Sequence, residues 1–186
     1  IHPPTYTCRK EAAFSQRRFR QAINFLLEYA ERREVKLSLE IMEKGVREMI
    51  TKEEEVRELL GDTAQKLLYT VDTAHCDSEK EIFALLDSLP VSKLHISNRQ
   101  GRKRHTMLME GNYSFVGLLP KLLAKKIPLI IEGTGYQNDI LQNQLEYVSA
   151  VLQQMENGYG QLYEPQNPLL RGVWDDCMPH KCLRHG

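Results

Sequence analysis

The chain has 186 residues, 25 Lys plus Arg against 25 Asp plus Glu, and 41 % apolar content. That length and composition suit one domain with a real core and exclude a disordered chain, and zero formal net charge argues against a broad electrostatic footprint for nucleic acid. No run of 18 apolar residues is present, nothing at the start reads as a signal peptide, and Cys8, Cys76, Cys177 and Cys182 are too irregularly spread for a disulfide framework, so a cytoplasmic protein with no membrane segment is expected.

In chain order, IHPPTYT is irregular because Pro3 and Pro4 deny it helical or central-strand character. Ser15 is the expected N-cap of a first helix, in which Phe19, Ile23, Leu26, Leu27 and Ala30 recur at helical spacing to about Arg33. VKLSLE (35–40) reads as a strand. Thr51 should cap a short helix that Gly61 ends, with Glu53 and Glu54 in its first turn. KLLYTVD (66–72) is the second strand, and Asp77 or Ser78 caps a helix over Ile82, Phe83, Leu85 and Leu86 that stops near Pro90. VSKLHI (91–96) is the third strand, followed by a long polar loop, SNRQGRKRHTMLMEGN. Tyr113–Lys126 reads as a helix with Pro120 in its early part, IPLIIEG (127–133) as the fourth strand, and Gln137–Met155 as the last helix. The remaining residues carry turn chemistry without periodicity, which suggests a barrel domain over 1–160 and a tail or packed extension over 161–186.

Alternating strands and helices predict a parallel α/β sheet, open or closed into a barrel, whose active face lies at the strand C-termini. Each expected strand ends in a metal-competent group: Glu40, Asp72 with His75 behind it, His95, and Glu132. Two Glu, one Asp and one His suit Mn²⁺, Mg²⁺, Co²⁺ or Zn²⁺, because packed like charges need a cation or a proton between them. The competing account is that carboxylates follow strands simply because loops begin there. His75 reads as a second-metal ligand, a substrate contact or an ordinary loop histidine. His2, beside two prolines, falls at the rim end of a preceding strand.

The loop after His95 carries Arg99, Arg102, Lys103, Arg104 and His105, a charge suited to the phosphate of a sugar or a nucleic acid. For Arg99 and Lys103 the simpler account is a solvated basic loop. Gly111-Asn112 could offer backbone donors to phosphate, while Met107, Leu108 and Met109 should pack beneath the loop. Cys177, His180, Cys182 and His185 invite a zinc reading, but their spacing is not that of a zinc ribbon or finger. No Walker motif, dinucleotide fingerprint or serine nucleophile elbow is present, and Gly133-Thr-Gly135 is too short for a nucleotide site.

From His2-Pro3 to about residue 150 the chain resembles the xylose isomerase-like TIM-barrel superfamily of sugar isomerases, epimerases and endonuclease IV. The resemblance rests on the order His2-Pro3, Glu40 in SLEIM, Asp72-x-x-His75, His95 in KLHISN, Arg104-His105 and Glu132 in LIIEG. It implies a (β/α)8 barrel of which strands five to eight are readable here. In the isomerase and epimerase branch it also implies one divalent ion on Glu40, Asp72, His95 and Glu132. Glu40 and Glu132 then relay a proton through a metal-stabilised enediolate, and His75, Arg104, His105 and His2 bind a sugar, a sugar phosphate or a small hydroxy-keto compound.

The endonuclease IV branch would instead use three zinc ions at abasic DNA. There the resemblance places an Asp-x-His pair in the seventh loop, where this chain has Lys103-Arg104-His105, and it tends to place Asp where Asn98 stands. A cation cannot ligate zinc, so the isomerase branch is favoured over nucleic acid as partner. A third reading is a non-catalytic relic that binds a sugar or a protein. The chain opens without Met and covers half of the implied wall, so a longer native protein of about 250–280 residues, or assembly of two copies, is expected.

Overall fold

The computed structural model describes residues 1–6, 8–133 and 138–156. In chain order its elements are α1 (Ala12–Glu31), β1 (Ser38–Ile41), α2 (Glu53–Leu60), β2 (Leu68–Asp72), α3 (Glu79–Ser88), β3 (Val91–Ile96), β4 (Asn98–Gln100), β5 (Lys103–Thr106), α4 (Phe115–Leu123), β6 (Leu129–Ile131) and α5 (Asn138–Glu156). They form two compact units: residues 1–96 with 127–130, and residues 97–126 with the described residues from 131 on.

The first unit is a four-stranded sheet in the order β1-β2-β3-β6, with β1–β2 and β2–β3 parallel. Parallel neighbours need a crossover between them, and α2 and α3 supply it. The α/β alternation expected from the sequence is therefore present. Leu39, Ile41, Tyr69, Val71, Leu94 and Ile96 of the strands are almost fully buried, as are Ile23 of α1, Val56 of α2 and Ile82 of α3. The strand residues among these alternate with Ser38, Glu40, Thr70, Asp72, Lys93 and His95, so one face of the sheet is apolar core and the other carries polar groups. Ile1 joins the outer edge of β1: its amino group donates to Ser38 O at 2.7 Å, and Glu40 N donates to Ile1 O at 3.0 Å. That ladder places His2 at the end of β1.

The helix ends follow the local chemistry with some shifts. The first helix begins at Ala12, not at a Ser15 cap, because the 3₁₀ turn Arg9–Glu11 leads straight into it and leaves Ser15 inside. Phe19, Ile23, Leu27 and Ala30 form its buried stripe, whereas Leu26 is partly exposed. Phe14, Phe25 and Tyr29 also lie at least half exposed on α1. The N-cap of α2 is Lys52, one residue after the expected Thr51. Thr51 still helps to hold that end, since its N–H and hydroxyl both donate to Glu55 Oε2 at 2.7 and 3.0 Å. Gly61, at φ +53, terminates α2 as expected. Ser78 caps α3 by accepting from Glu81 N, while Glu81 Oε2 accepts from Asp77 N. The strands are shorter than the apolar segments: β1 starts at Ser38 and β2 at Leu68, because Ser38–Ile41 pairs only with Leu68–Val71. Likewise only Leu129–Ile131 of 127–133 is strand.

The second unit corrects the reading of residues 97–112 as a polar loop. β4 and β5 pair antiparallel, Asn98 opposite Thr106 and Gln100 opposite Lys103. The fully buried Asn98 amide anchors the base of this hairpin. It donates to Leu108 O at 2.9 Å and Tyr113 O at 2.8 Å, and accepts from Arg99 N at 2.9 Å and Tyr113 N at 3.0 Å. Gly111 sits at φ +148 so close to this network that a Cβ would lie 2.4 Å from Arg99 O. Asn112 N donates to Arg99 O at 2.6 Å, so that N–H closes the loop and is not an offered phosphate donor. Leu108 and Met109 are buried beneath it.

α4 is shorter than the expected 113–126. Tyr113 N is held by Asn98, Ser114 takes the N-cap position, and Lys126 turns left-handed at φ +57. Pro120 is sixth of nine helical residues, not early. α5 buries Tyr147, Ala150 and Val151, and Leu108 N donates to its buried Gln144 side chain at 3.3 Å. The boundary at 160/161 and the Cys177, His180, Cys182 and His185 group lie outside the described residues.

Asn98→Ala removes the amide that serves four backbone groups at once. It should destabilise the chain by about 2–4 kcal/mol, read as a lowered urea midpoint. A midpoint within error of the parent would show that the hairpin base is held by something else.

Candidate metal centre

Strand register decides which side chains meet. In parallel pairing, Glu40 of β1 faces Thr70 of β2, and Asp72 of β2 faces His95 of β3. Alternation then puts Glu40, Thr70, Asp72 and His95 on one face of the sheet, with the last two at the C-terminal rim. Below them the same region is lined by hydroxyls: Ser38 and Thr70 lie 2.7 Å apart, and Ser92 donates to Ser38 at 2.9 Å. Glu40, Asp72 and His95 offer ligand atoms within 4.8 Å of one another.

Glu40 is the centre of this group. The residue is only 3 % exposed, and three imidazoles surround its carboxylate. His2 Nε2 lies 2.9 Å from Oε2, His95 Nδ1 3.5 Å from Oε2, and His75 Nδ1 3.6 Å from Oε1. Glu40 Oε1 is buried and accepts no hydrogen bond among the described residues. A buried carboxylate oxygen in that state is costly unless a cation or a donor answers it. Two carboxylates and an imidazole are also the donor types that a divalent ion takes in oxygen-rich sites. The residues present fit such an ion.

The neighbouring groups are oriented by the turn after β2. Ala74 N donates to Asp72 Oδ1 at 2.6 Å, so Asp72 caps the 3₁₀ turn Thr73–His75 and that turn fixes its carboxylate. The turn brings the buried His75 back over β1, where Nδ1 lies 3.0 Å from Ile41 O. His75 Nε2 lies 3.4 Å from Glu43 Oε2. Glu43 is the site neighbour missed in the sequence, although Glu40-x-x-Glu43 after a strand was a visible signal. Lys44 spans from the same loop to Asp77 and Glu81 at 3.0 and 2.8 Å; its bonds to Glu81 and then Asp77 raise its pKa. Cys76 is no nucleophile here: burial drives its thiol far above the ordinary range, and it points at Asp72 O.

Of the predicted site residues, the first unit brings together Glu40, Asp72, His95, His75 and His2. Glu132, Arg104 and His105 belong to the second unit. Glu132 directly follows β6 and is half-buried. Arg104 lies on β5 and donates from Nη1 to Gly101 O at 3.1 Å. His105 holds φ +54, unusual for a residue with a side chain, and its Nδ1 lies 3.2 Å from Ser97 Oγ.

Burial, with the Glu43 charge second, raises the Glu48 carboxyl above its ordinary 4.5. The folded chain thus holds a proton at Glu48 more tightly than the unfolded chain, and stability falls as pH rises from 4.5 through the folded-state value. Glu48→Gln should therefore melt higher than the parent at neutral pH, and this advantage should shrink as the pH falls to 4.5. An advantage that stays constant across that range would contradict the assignment.

A family model described as the xylose isomerase-like TIM barrel matches residues 1–153. Among solved structures the chain is similar to a D-tagatose 3-epimerase-like protein, with TM-score 0.70, 18 % identity, and coverage of 86 % of this chain and 63 % of that one. It also matches a D-allulose 3-epimerase from Methylomonas sp. (TM-score 0.48, 20 % identity, 76 % and 51 % covered). A third match is a xylose isomerase-like TIM barrel/4-hydroxyphenylpyruvate dioxygenase fusion protein (TM-score 0.47, 17 % identity, 82 % and 29 % covered). At such identities these likenesses speak to fold alone, and only the first is close enough to carry that. The chain spans 63 % of the length of the first. No curated protein matches it. With the family model covering most of its length and a parallel α/β sheet beneath it, the chain belongs to the xylose isomerase-like TIM-barrel family.

Proposed function

We propose that the chain acts as a sugar isomerase or epimerase whose four residues Glu40, Asp72, His95 and Glu132 hold one divalent cation, Mn²⁺, Co²⁺, Zn²⁺ or Mg²⁺. The observation that carries this reading is the buried Glu40 carboxylate, gathered with Asp72 and His95 at the strand ends of a family barrel. The epimerase-like character of the structure with TM-score 0.70 supports the choice of reaction. Glu132 enters by its place at the end of β6.

When bound, the cation supplies Lewis acidity toward neighbouring carbonyl and hydroxyl oxygens of the sugar. The residues do the rest. One of Glu40 and Glu132 removes the proton from the carbon beside the carbonyl, and the other returns one. Return on the opposite face inverts that carbon. His75, oriented by Ile41 O and Glu43, holds a sugar hydroxyl, and His2 closes the Glu40 side. Arg104 and His105, both on β5, are the further residues that this reading assigns to sugar binding. Burial of Glu40 keeps bulk water from exchanging the proton in flight.

Metal content tests the first half of this reading. The chain loaded with Mn²⁺ should retain about one equivalent, consistent with a single oxygen-rich site, and Glu40→Ala or Asp72→Asn should lose it while keeping the parent's far-ultraviolet spectrum. Three equivalents of zinc with incision of abasic-site DNA would point instead to the nuclease branch.

Proton transfer tests the second half. In deuterated water, a ketose turned over by the enzyme should gain deuterium at the carbon beside its carbonyl. Glu132→Gln should lower that exchange by about 10²–10⁴-fold. Unchanged exchange would remove Glu132 from the reaction.

A further inference from the structure

We propose that the exposed aromatic face of α1 docks a second copy of this chain, with the two α1 helices packed antiparallel about a two-fold axis at Gln21–Ala22. This goes beyond the sugar-converting function proposed above and does not depend on it.

The helix is apolar over more than the stripe it buries. Phe19, Ile23, Leu27 and Ala30 are buried, yet Phe14, Arg18, Phe25 and Tyr29 recur at spacings of four, seven and four and so share a second face. Phe25 is 66 % exposed, and Phe14 and Tyr29 are 50 % exposed each. The rings are gathered into one surface. Phe25 and Tyr29 stack with centroids 6.5 Å apart, and the Arg17 and Arg18 guanidiniums each lie 5.7 Å from the centroid of Phe14. Aromatic rings interleaved with Arg on one exposed face are the composition of an interface centre. Beside them runs an open groove of about 630 Å³, whose lining includes Ile1, Pro4, Phe14, Arg18, Ala22 and Leu26.

Two features point to this same helix as the occupant. The first is symmetry. Phe14 and Tyr29 lie equally far from the Gln21–Ala22 midpoint, and so do Arg18 and Phe25. An antiparallel copy centred there sets Phe14 against the partner's Tyr29 and Arg18 against the partner's Phe25, twice over in a closed dimer. The partner's Phe25 then enters the groove between Phe14 and Ala22, and the guanidinium of Arg18 meets a second ring.

The second feature is charge. Residues 12–24 carry Arg17, Arg18 and Arg20 and no acid, whereas residues 25–31 carry Glu28 and Glu31 and no base. Antiparallel packing lays the basic half on the acidic half of the other copy, while parallel packing would oppose like charges. Arg17 and Glu28 are both exposed and stand about three helical turns apart, so they lie on one flank of the aromatic face. The two-fold axis brings that flank against itself, which sets Arg17 near the partner's Glu28 on both sides of the axis.

The test is sedimentation velocity of the full chain across a concentration series, where a reversible monomer–dimer equilibrium should appear. Phe25→Ser should weaken association by about thirtyfold or more, as loss of a central aromatic anchor does. Arg17→Glu and Glu28→Arg should each weaken it by about fivefold or more, and the double variant carrying both should return to within about twofold of the parent. All three side chains are exposed, so none of these changes touches the core. A monomer at every concentration up to about 100 µM would overturn the proposal. So would a dimer that Phe25→Ser leaves intact, because the copies would then meet on another face. Failure of the double reversal to recover association would overturn the antiparallel arrangement.

Discussion

A carboxylate buried at the end of a parallel strand needs its charge answered, and Glu40 sets the terms for everything around it. Water is excluded from it, so the cost of its charge must be met by donors or a cation close by. His2, His75 and His95 supply imidazole nitrogens at 2.9–3.6 Å, each from a different segment of the chain. The edge ladder of Ile1, the turn that Asp72 caps, and the last residues of β3 all deliver a ring to that one group. Parallel pairing makes the convergence possible, because it turns every strand C-terminus toward the same rim.

That same geometry explains why the residues of the candidate site stand out in the sequence. Strand ends are marked by a change from apolar to polar: Asp72 closes β2 and Glu132 follows β6, while Glu40 and His95 stand one residue inside the ends of β1 and β3. Asp72-x-x-His75 was legible because an Asp that caps a short turn brings back the residue three positions later. Glu43 was less so: it approaches His75 only because residues 42–50 are closed by Met42 N to Ile50 O and tied by Lys44 to the start of α3. The spacing Glu40-x-x-Glu43 marks the residue, but neither long-range contact that places it has a local signature.

The hairpin shows the opposite case. Residues 97–112 look polar and irregular, and their short antiparallel pairing is carried by one buried amide rather than by an alternating apolar pattern. Periodicity has nothing to report there. Asn98, noticed only as a departure from Asp, is neutral for a structural reason: with two backbone carbonyls and two backbone N–H groups as partners, a side chain must both donate and accept. Gly111, read in the sequence as a backbone donor to phosphate with Asn112, is small because Asn98 and Arg99 leave no room for a Cβ.

Legible in the residues alone were the alternation of strands and helices, the acids and histidines near the strand ends, the Gly61 stop of α2 and the Ser78 cap of α3. These are properties of short windows, where hydrophobic period and side-chain hydrogen bonding act on neighbours. The fold in three dimensions was needed for the register that sets Asp72 against His95, the crowding of three imidazoles on Glu40, and the turn that brings Arg99 and Arg104 to the same Gly101 carbonyl. Register and turn geometry depend on hydrogen bonds between residues far apart in the chain, and a shift of one position would turn each of these side chains to the opposite face.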